Sequence, residues 1–154
     1  AIQSLIEYGP LVEVGAGRGY WAHVIDTNGG DCLPTDIAPE TVDSDEYPVR
    51  VDVDEDYSYT VWSEVRELGG VEAVRKTPER NVLMCHPDGA TRWSEDVLEA
   101  IEDQYFIYVG EWFPGADSNP MFFNKLTTEW ELHETFPVYD WGTMHCRGYV
   151  FKRR

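Results

Sequence analysis

The sequence LVEVGAGRGYW, residues 11–21, decides how this chain folds. A short apolar run ends in a turn with glycines at positions 15, 17 and 19, and helix-forming sequence follows. Glycine adopts positive φ without strain and lets the backbone approach a ligand closely. The amide groups at the start of the following helix then face that ligand. The stretch therefore predicts a strand, a tight turn and a helix, with a nucleotide-like group bound at the turn.

The spacing of the glycines separates two classes of nucleotide-binding turn. A dinucleotide-binding turn has the form G-x-G-x-x-G, whose third glycine lets the helix pack closely on the strand. Counted from Gly15, that third position holds the large side chain of Tyr20, which disfavours an oxidoreductase that uses a dinucleotide. The pattern present is acid-x-G-x-G-x-G, from Glu13 to Gly19.

This pattern resembles the first motif of class I S-adenosylmethionine-dependent methyltransferases. In that family the turn wraps the methionine part of the cofactor, and the acid is tied, often through water, to its amino group. The resemblance implies S-adenosyl-L-methionine as the cofactor here, bound by five residues of this turn: Glu13, Gly15, Ala16, Gly17 and Gly19. The rings of Tyr20 and Trp21 have two interpretations that stay open, as a wall of the cofactor pocket or as core packing of the first helix.

A second acid lies about 20 residues beyond the turn. Residues 31–37 predict a second strand, with Asp36 near its end. An acid at this distance and place suits hydrogen bonds to ribose hydroxyls, and the alternative is a solvated surface carboxylate. Ile37 would then lie against the adenine face.

Residues 47–53 predict a short third strand at the edge of the sheet. Asp52 and Val53 would then lie near the adenine of the cofactor, and a solvated acidic loop is the alternative. From residue 59 to residue 76 the apolar positions recur at intervals of three and four, which predicts a helix interrupted near residue 69.

Residues 81–85 form a continuous apolar run typical of a buried parallel strand. The run ends at His86-Pro87-Asp88-Gly89, and ligands of doubly wound sheets lie beyond such strand ends. The resemblance implies that these residues line the transferable methyl group. His86 and Asp88 are the candidate catalytic residues, with His86 as a general base or merely a hydrogen-bonding group at a strand end. Pro87 is expected to contact the substrate.

Residues 93–103 predict an amphipathic helix and residues 105–110 a fifth strand. Glu111 and Trp112 follow that strand and are candidate substrate contacts, although Glu111 has the alternative role of bonding loop amides. A short helix over 119–126 leads to two strands in succession, at 129–136 and 147–152, which predicts a closing antiparallel pair.

The fold class predicted is therefore α/β, as a Rossmann-like, doubly wound, seven-stranded sheet in one domain, residues 1–154. The methyltransferase resemblance implies the strand order 3-2-1-4-5-7-6. The whole chain is also similar to a family of small methyltransferase-like proteins with a GAG-x-GYW turn. The matching segments are residues 15–21, 83–87, 108–111 and 147–151.

Composition limits the partners. Twenty-nine acidic and 12 basic residues give a net charge of −17, and only three of the bases are lysine. This balance is typical of proteins adapted to high cytoplasmic salt, where charge repulsion is screened. It predicts a halophile or its virus as the source, and the alternative is simply an acidic protein. It disfavours nucleic acid as a partner. The three widely spaced cysteines fit neither a disulfide framework nor a zinc pattern, so we expect no metal.

The sequence contains no apolar run of about 18 residues and no visible signal peptide, which predicts a cytoplasmic protein without a membrane span. Because Ala1 stands directly before a predicted helix over 2–8, we expect native residues to precede it. The leading hypothesis is a methyltransferase acting on a small molecule. The alternative is a non-catalytic binding module, because His-Pro-Asp-Gly departs from the Asn/Asp-Pro-Pro-aromatic motif of amino-group methyltransferases.

Overall fold

A computed structural model describes residues 1–113, 115, 117–139 and 145–154. Within them the helices are α1 (Ile2–Glu7), α2 (Tyr20–Thr27), α3 (Gly70–Lys76), α4 (Trp93–Ala100) and α5 (Pro120–Glu129). The strands are β1 (Leu11–Val14), β2 (Cys32–Asp36), β3 (Val49–Asp52), β4 (Ser58–Val61), β5 (Arg66–Glu67), β6 (Asn81–Cys85), β7 (Phe106–Glu111), β8 (Trp130–Pro137) and β9 (Cys146–Arg153).

Seven strands form one sheet in the order β5-β2-β1-β6-β7-β9-β8. The first five are parallel to one another, and β9 runs antiparallel to both β7 and β8. When only the seven strands of this sheet are numbered, from 1 to 7 in chain order, this is the predicted order 3-2-1-4-5-7-6. The predicted α/β class and the antiparallel C-terminal pair are confirmed.

Helices cover both faces of the sheet because alternate strand residues point to opposite sides. Val12 and Val14 of β1 belong to a core that also contains side chains of α3, α4 and α5. Leu11 of the same strand belongs to a second core, with side chains of α1 and α2. The central strands are therefore buried on both faces, and the ends of those strands are where a ligand can reach the sheet.

A strand forms within residues 47–53 and a helix beyond residue 69, as predicted, but the strand's place at the edge of the main sheet and the helix over residues 59–68 are wrong. β3 and β4 pair with each other as an antiparallel hairpin outside the main sheet, and the two-residue β5 occupies the sheet edge beside β2. The helix-like spacing between residues 59 and 68 instead reflects docking of this segment on the glycine turn. Trp62 N–H donates to the carbonyl of Arg18 over 2.8 Å, and Ser63 Oγ donates to the carbonyl of Gly19 over 3.0 Å.

The two edges of the sheet are irregular. At one edge β5 is only two residues long and both side chains are exposed. At the other edge the pairing of β8 with β9 shifts register between Leu132 and Glu134. No helix among the described residues has the length and apolar character needed to cross a membrane.

Candidate functional site

A cavity of about 420 Å³ lies at the carboxyl ends of β1, β2 and β6. Small-molecule sites range over roughly 300–1,000 Å³, so this cavity has the size of one. Its lining combines residues from four separate turns: Gly15, Asp36, Ile37, Gly70, Cys85, His86, Pro87, Asp88, Thr91 and Trp93. The sequence-predicted cofactor residues Gly15, Asp36 and Ile37 thus lie in one cavity with the predicted residues of the 86–88 turn.

The glycine turn has the backbone conformation expected of it. Gly15, Gly17 and Gly19 have φ values of 67°, 58° and 76°. At Gly17 a Cβ would meet nothing within 4 Å, so this side of the turn is open. The turn is held from β2, because Ala16 N–H donates to the carbonyl of Thr35 over 2.8 Å.

Asp36 links the glycine turn to the end of β2. Its Oδ2 accepts the Gly17 N–H over 2.9 Å, and its Oδ1 accepts the Ala38 N–H over 3.0 Å. The carboxylate is half-buried and its direction is set by these two donors. The adjacent Ile37 is 75% exposed, so its apolar side chain is available to a flat ligand group.

Glu13 is a buried carboxyl beneath the glycine turn. Only 2% of the residue is exposed. The Ala22 N–H, at the third position of α2, bonds its carboxyl group, which satisfies one of the amides that a helix start leaves without a partner. Its Oε2 has no hydrogen-bond partner within the described residues. Burial raises the pKa of Glu13 to about 8, against the opposing Ala22 bond. Because Oε2 has no partner in the described part of the chain, it could accept a bond from a cationic group, whose charge would favour the ionised carboxylate over the protonated form.

His86 adopts a left-handed backbone conformation, with φ of 47°. Its Nδ1 lies 3.1 Å from Oδ2 of Asp117, and 34% of the His86 side chain is exposed. Asp117 is a buried acid, and the same oxygen accepts the Glu111 N–H over 2.7 Å. Burial raises the pKa of Asp117, but the bonds from His86 and Glu111 outweigh it and hold that pKa below its usual value. Asp117 is therefore an ionised partner for His86.

The segment 117–119 positions the 86–89 turn through several contacts. Ser118 N–H donates to the carbonyl of Pro87 over 2.6 Å. The Oγ atoms of Ser118 and Ser94 lie 2.9 Å apart. A Cβ at Gly89 would collide with the Ser118 carbonyl, so the two segments pack directly. Sequence analysis missed this segment, because these contacts join residues distant in sequence.

Asp88 and Trp93 form the other side of the cavity. Asp88 accepts the Ala90 N–H over 3.0 Å and the Trp93 Nε1–H over 3.3 Å, one at each carboxylate oxygen. The Trp93 ring packs on the glycine turn, where a Cβ at Gly15 would come within 2.8 Å of it. The sequence placed Trp93 only at the start of a predicted amphipathic helix, and its place in the cavity was missed.

Ten predicted site residues lie outside the lining of this cavity: Glu13, Ala16, Gly17, Gly19, Tyr20, Trp21, Asp52, Val53, Glu111 and Trp112. Tyr20 is 43% exposed and its ring contacts the Trp62 ring edge-on, 5.3 Å between centroids. Trp21 packs against the core formed with α1 and α2. Asp52 and Val53 lie at the hairpin of β3 and β4, which is separate from the main sheet.

Glu111, the last residue of β7, and Trp112 have surroundings different from those predicted for a substrate site. Glu111 Oε1 accepts the His145 N–H over 3.2 Å, which agrees with its alternative role of bonding loop amides. The Trp112 ring packs against Phe123 and Tyr149, at 4.9 Å and 5.0 Å between centroids. It borders a separate cavity between α5 and the β8–β9 pair.

Among the residues that the structure describes, no three His, Cys, Asp or Glu side chains cluster as a metal site would require. Burial raises the pKa of the Cys85 thiol well above its usual value, so this lining residue is a neutral, weakly polar group.

Comparison with solved structures finds proteins of similar chain path. A mutant of MtNAS is 9% identical over 97% of this chain and 56% of its own, with a TM-score of 0.49. An rRNA methylase from Streptococcus thermophilus is 6% identical over 99% of this chain and 91% of its own, with a TM-score of 0.45. The N-methyltransferase NodS from Bradyrhizobium japonicum WM9 is 9% identical over 93% of this chain and 84% of its own, with a TM-score of 0.44.

The chain thus spans little more than half the length of MtNAS. No protein-family model matches the sequence, and a search of curated proteins gives no match.

Proposed function

We propose that this protein is an S-adenosylmethionine-dependent methyltransferase. The observation that carries the proposal is the single cavity that unites the glycine turn, Asp36 and the 86–88 turn. These are the three places from which the sequence predicted cofactor binding and methyl transfer, and each comes from a different part of the chain.

The residues present fit this cofactor. Asp36, already oriented by backbone donors, would accept bonds from the ribose hydroxyls, and the exposed Ile37 would contact the adenine. The turn around the open Gly17 would hold the methionine part. The unpartnered buried oxygen of Glu13 suits the amino group, since the positive charge of that group would favour the ionised carboxylate.

When bound, S-adenosylmethionine supplies an electrophilic methyl group on a sulfonium sulfur. The role of the protein is then to hold the acceptor in line with that methyl group at near-attack distance. The turn of His86, Pro87 and Asp88 provides the acceptor side, since it is fixed by β7 and by the 117–119 segment. His86 N–H donates to the Val109 carbonyl over 2.9 Å, which anchors the start of the turn.

We propose that the acceptor is a small molecule. We also propose that residues 1–154 form one domain and that the protein works in a cytoplasm of high salt. The net charge of −17 would repel a polyanion such as nucleic acid. The cavity of about 420 Å³ also favours a compact ligand.

The test is calorimetric titration of S-adenosylmethionine and S-adenosylhomocysteine in molar KCl. Wild type is compared with Asp36→Ala and with Asp45→Ala, which removes an exposed acid from the same acidic region. Micromolar binding that Asp36→Ala abolishes and Asp45→Ala leaves intact would support the proposal. A folded wild-type protein that binds neither compound would overturn it.

A binding module without catalysis is the second candidate. Asp88 favours it, because both of its carboxylate oxygens accept bonds from protein donors. Asp88 thus positions Trp93 instead of acting on a substrate. Cofactor binding without methyl transfer to any acceptor would favour this alternative.

A further inference from the structure

We infer that His86 and Asp117 form a general-base pair, and that the methyl acceptor is a neutral hydroxyl group. This inference rests on the proposed methyltransferase function. His86 would be the catalytic residue that takes the acceptor proton, and Asp117 would be the positioning residue that orients His86.

The geometry fixes which imidazole nitrogen is basic. An ionised carboxylate can only accept hydrogen bonds, and Oδ2 of Asp117 lies 3.1 Å from Nδ1 of His86. The proton of the neutral imidazole is therefore on Nδ1, which leaves the lone pair on Nε2. Within the described residues Nε2 has no hydrogen-bond partner, and His86 lines the cavity.

Asp117 is held in place independently of His86. Its Oδ2 accepts the Glu111 N–H over 2.7 Å and the Tyr108 hydroxyl over 3.3 Å. The Tyr108 hydroxyl also lies 2.6 Å from the Glu111 carbonyl, so it is fixed between two acceptors. The Glu111 N–H and the His86 ring N–H therefore meet at one buried oxygen, and the single Tyr108 hydroxyl proton is shared between that oxygen and the Glu111 carbonyl. These contacts keep the carboxylate ionised and its direction constant.

The backbone of His86 is also in a costly conformation. A non-glycine residue at φ of 47° lies in a sparsely populated, strained region, and such residues concentrate at functional sites. The conformation puts the imidazole at the cavity and against Asp117 at once. A histidine that only completed a strand end would need neither contact.

The presence of a general base indicates which kind of acceptor group the site serves, because acceptor groups differ in their need for proton removal. Methylation of a neutral amine gives a stable ammonium ion, whose proton can leave after the transfer. A carboxylate has no proton to lose. Methylation of a neutral hydroxyl gives a strongly acidic protonated ether, so its proton must leave as the new bond forms. Of these three acceptors, only the hydroxyl makes a base necessary during the transfer.

The step balances as follows. A lone pair of the acceptor oxygen forms the new O–CH₃ bond, and the electron pair of the S–CH₃ bond stays on sulfur. The O–H proton passes to Nε2 of His86, and the imidazolium then releases it to water. The products are a methyl ether, S-adenosylhomocysteine and one proton.

The first test reads the tautomer of His86 by ¹⁵N NMR without any ligand. His86→Gln identifies its signals among the four histidines. Wild type should show the Nδ1–H tautomer. Asp117→Ala removes the acceptor from Nδ1, so the Nε2–H tautomer, which a free imidazole favours, should become the major form. Tyr108→Phe, which removes one bond to Asp117 without contacting His86, should keep the wild-type tautomer. Nε2–H in the wild type, or no change in a folded Asp117→Ala, would overturn the inference.

The second test uses 4-nitrophenol as a hydroxyl probe on protein saturated with S-adenosylhomocysteine at mildly acidic pH. Proton transfer to His86 would produce the yellow nitrophenolate ion, visible by absorbance. Asp117→Asn should reduce this signal by roughly tenfold or more, while Asp96→Asn, at an exposed acid of α4, should leave it unchanged. Absence of the nitrophenolate band in the wild type would overturn the inference.

Turnover then tests the acceptor class. We expect methyl transfer from S-adenosylmethionine to phenol in preference to benzylamine or benzoate, and a loss of kcat in Asp117→Asn with unchanged affinity for S-adenosylhomocysteine. Preference for the amine or the carboxylate would overturn the hydroxyl assignment. Failure of the cofactor to bind would instead overturn the proposed function, so the two failures are distinguishable.

Discussion

The backbone N–H of Gly17 donates to Oδ2 of Asp36 over 2.9 Å. This bond joins the turn after β1 to the carboxyl end of β2, so the two parts of the predicted cofactor site are coupled before any ligand binds. A ligand that reached both would meet a turn and a carboxylate already oriented with respect to each other, which reduces the ordering cost of binding.

Gly17→Ala and Gly29→Ala form a matched pair. Both glycines have positive φ, 58° and 91°, and at both a Cβ would meet nothing within 4 Å. Each substitution should therefore cost about 1–2 kcal/mol in stability from backbone strain alone. Only Gly17→Ala should also weaken S-adenosylhomocysteine binding, measured by calorimetry. Equal affinity in the two variants would contradict the assignment of this turn to the cofactor.

Glu13→Gln should alter the pH dependence of stability. The pKa of Glu13 is about 8 in the folded protein, against 4.5 for an ordinary glutamate. Between these values the folded state keeps a proton that the unfolded state has lost, so wild-type stability falls as pH rises through this window. By linkage the total is on the order of 5 kcal/mol. Glutamine has no proton to lose, so the variant should gain stability over wild type from about pH 5 to about pH 8.

Urea unfolding at both ends of that pH window measures the effect of Glu13→Gln as a difference between variant and wild type. Glu131→Gln, at an exposed position of β8, serves as the control and should show no pH-dependent gain. A constant difference for Glu13→Gln across the window would show that the carboxyl is ionised in the folded protein.

Gly148→Ala should destabilise the C-terminal strand pair. Gly148 of β9 lies opposite Phe136 of β8, and a Cβ there would enter the Phe136 ring. Overpacking of this kind costs about 1–3 kcal/mol, measurable by urea unfolding. Combining it with Phe136→Leu should recover part of the loss, seen as a coupling energy in a double-mutant cycle. Additive effects would mean that the ring and the glycine do not constrain each other.

Thermal stability should rise steeply with KCl. At a net charge of −17, repulsion within the folded chain is screened as the Debye length falls from about 10 Å at 0.1 M to about 3 Å at 1 M salt. Melting followed by circular dichroism in KCl, with sucrose as the uncharged control, measures the effect. A melting temperature independent of salt would argue against adaptation to a saline cytoplasm.

The parts of the fold that the sequence predicts well are those with a local physical signal. The glycines of the first turn, the Asp36 strand end and the continuous apolar run of β6 all specify their own conformation. Their meeting in one cavity follows from the parallel order of the strands. His86 was placed for the same reason, since it directly follows β6.

What was missed depends on contacts between distant segments. The apolar residues between 59 and 68 recur at helical intervals, but Val61 is buried in a hairpin strand, so the period alone was misleading. Asp117 lies in a connection between β7 and α5 with no periodicity, and its partner His86 is 31 positions away. Only the folded chain shows that the two residues meet.

The irregular edges of the sheet have a consequence for behaviour in concentrated salt. Where charge is screened, the acidic surface keeps molecules apart poorly, and a long straight edge strand would invite pairing between copies of the chain. Here β5 offers only two residues, and the register shift in β8 bends the opposite edge out of the straight geometry that a second strand needs. In concentrated salt, where electrostatic repulsion between molecules is weakest, the shape of these edges would therefore oppose aggregation.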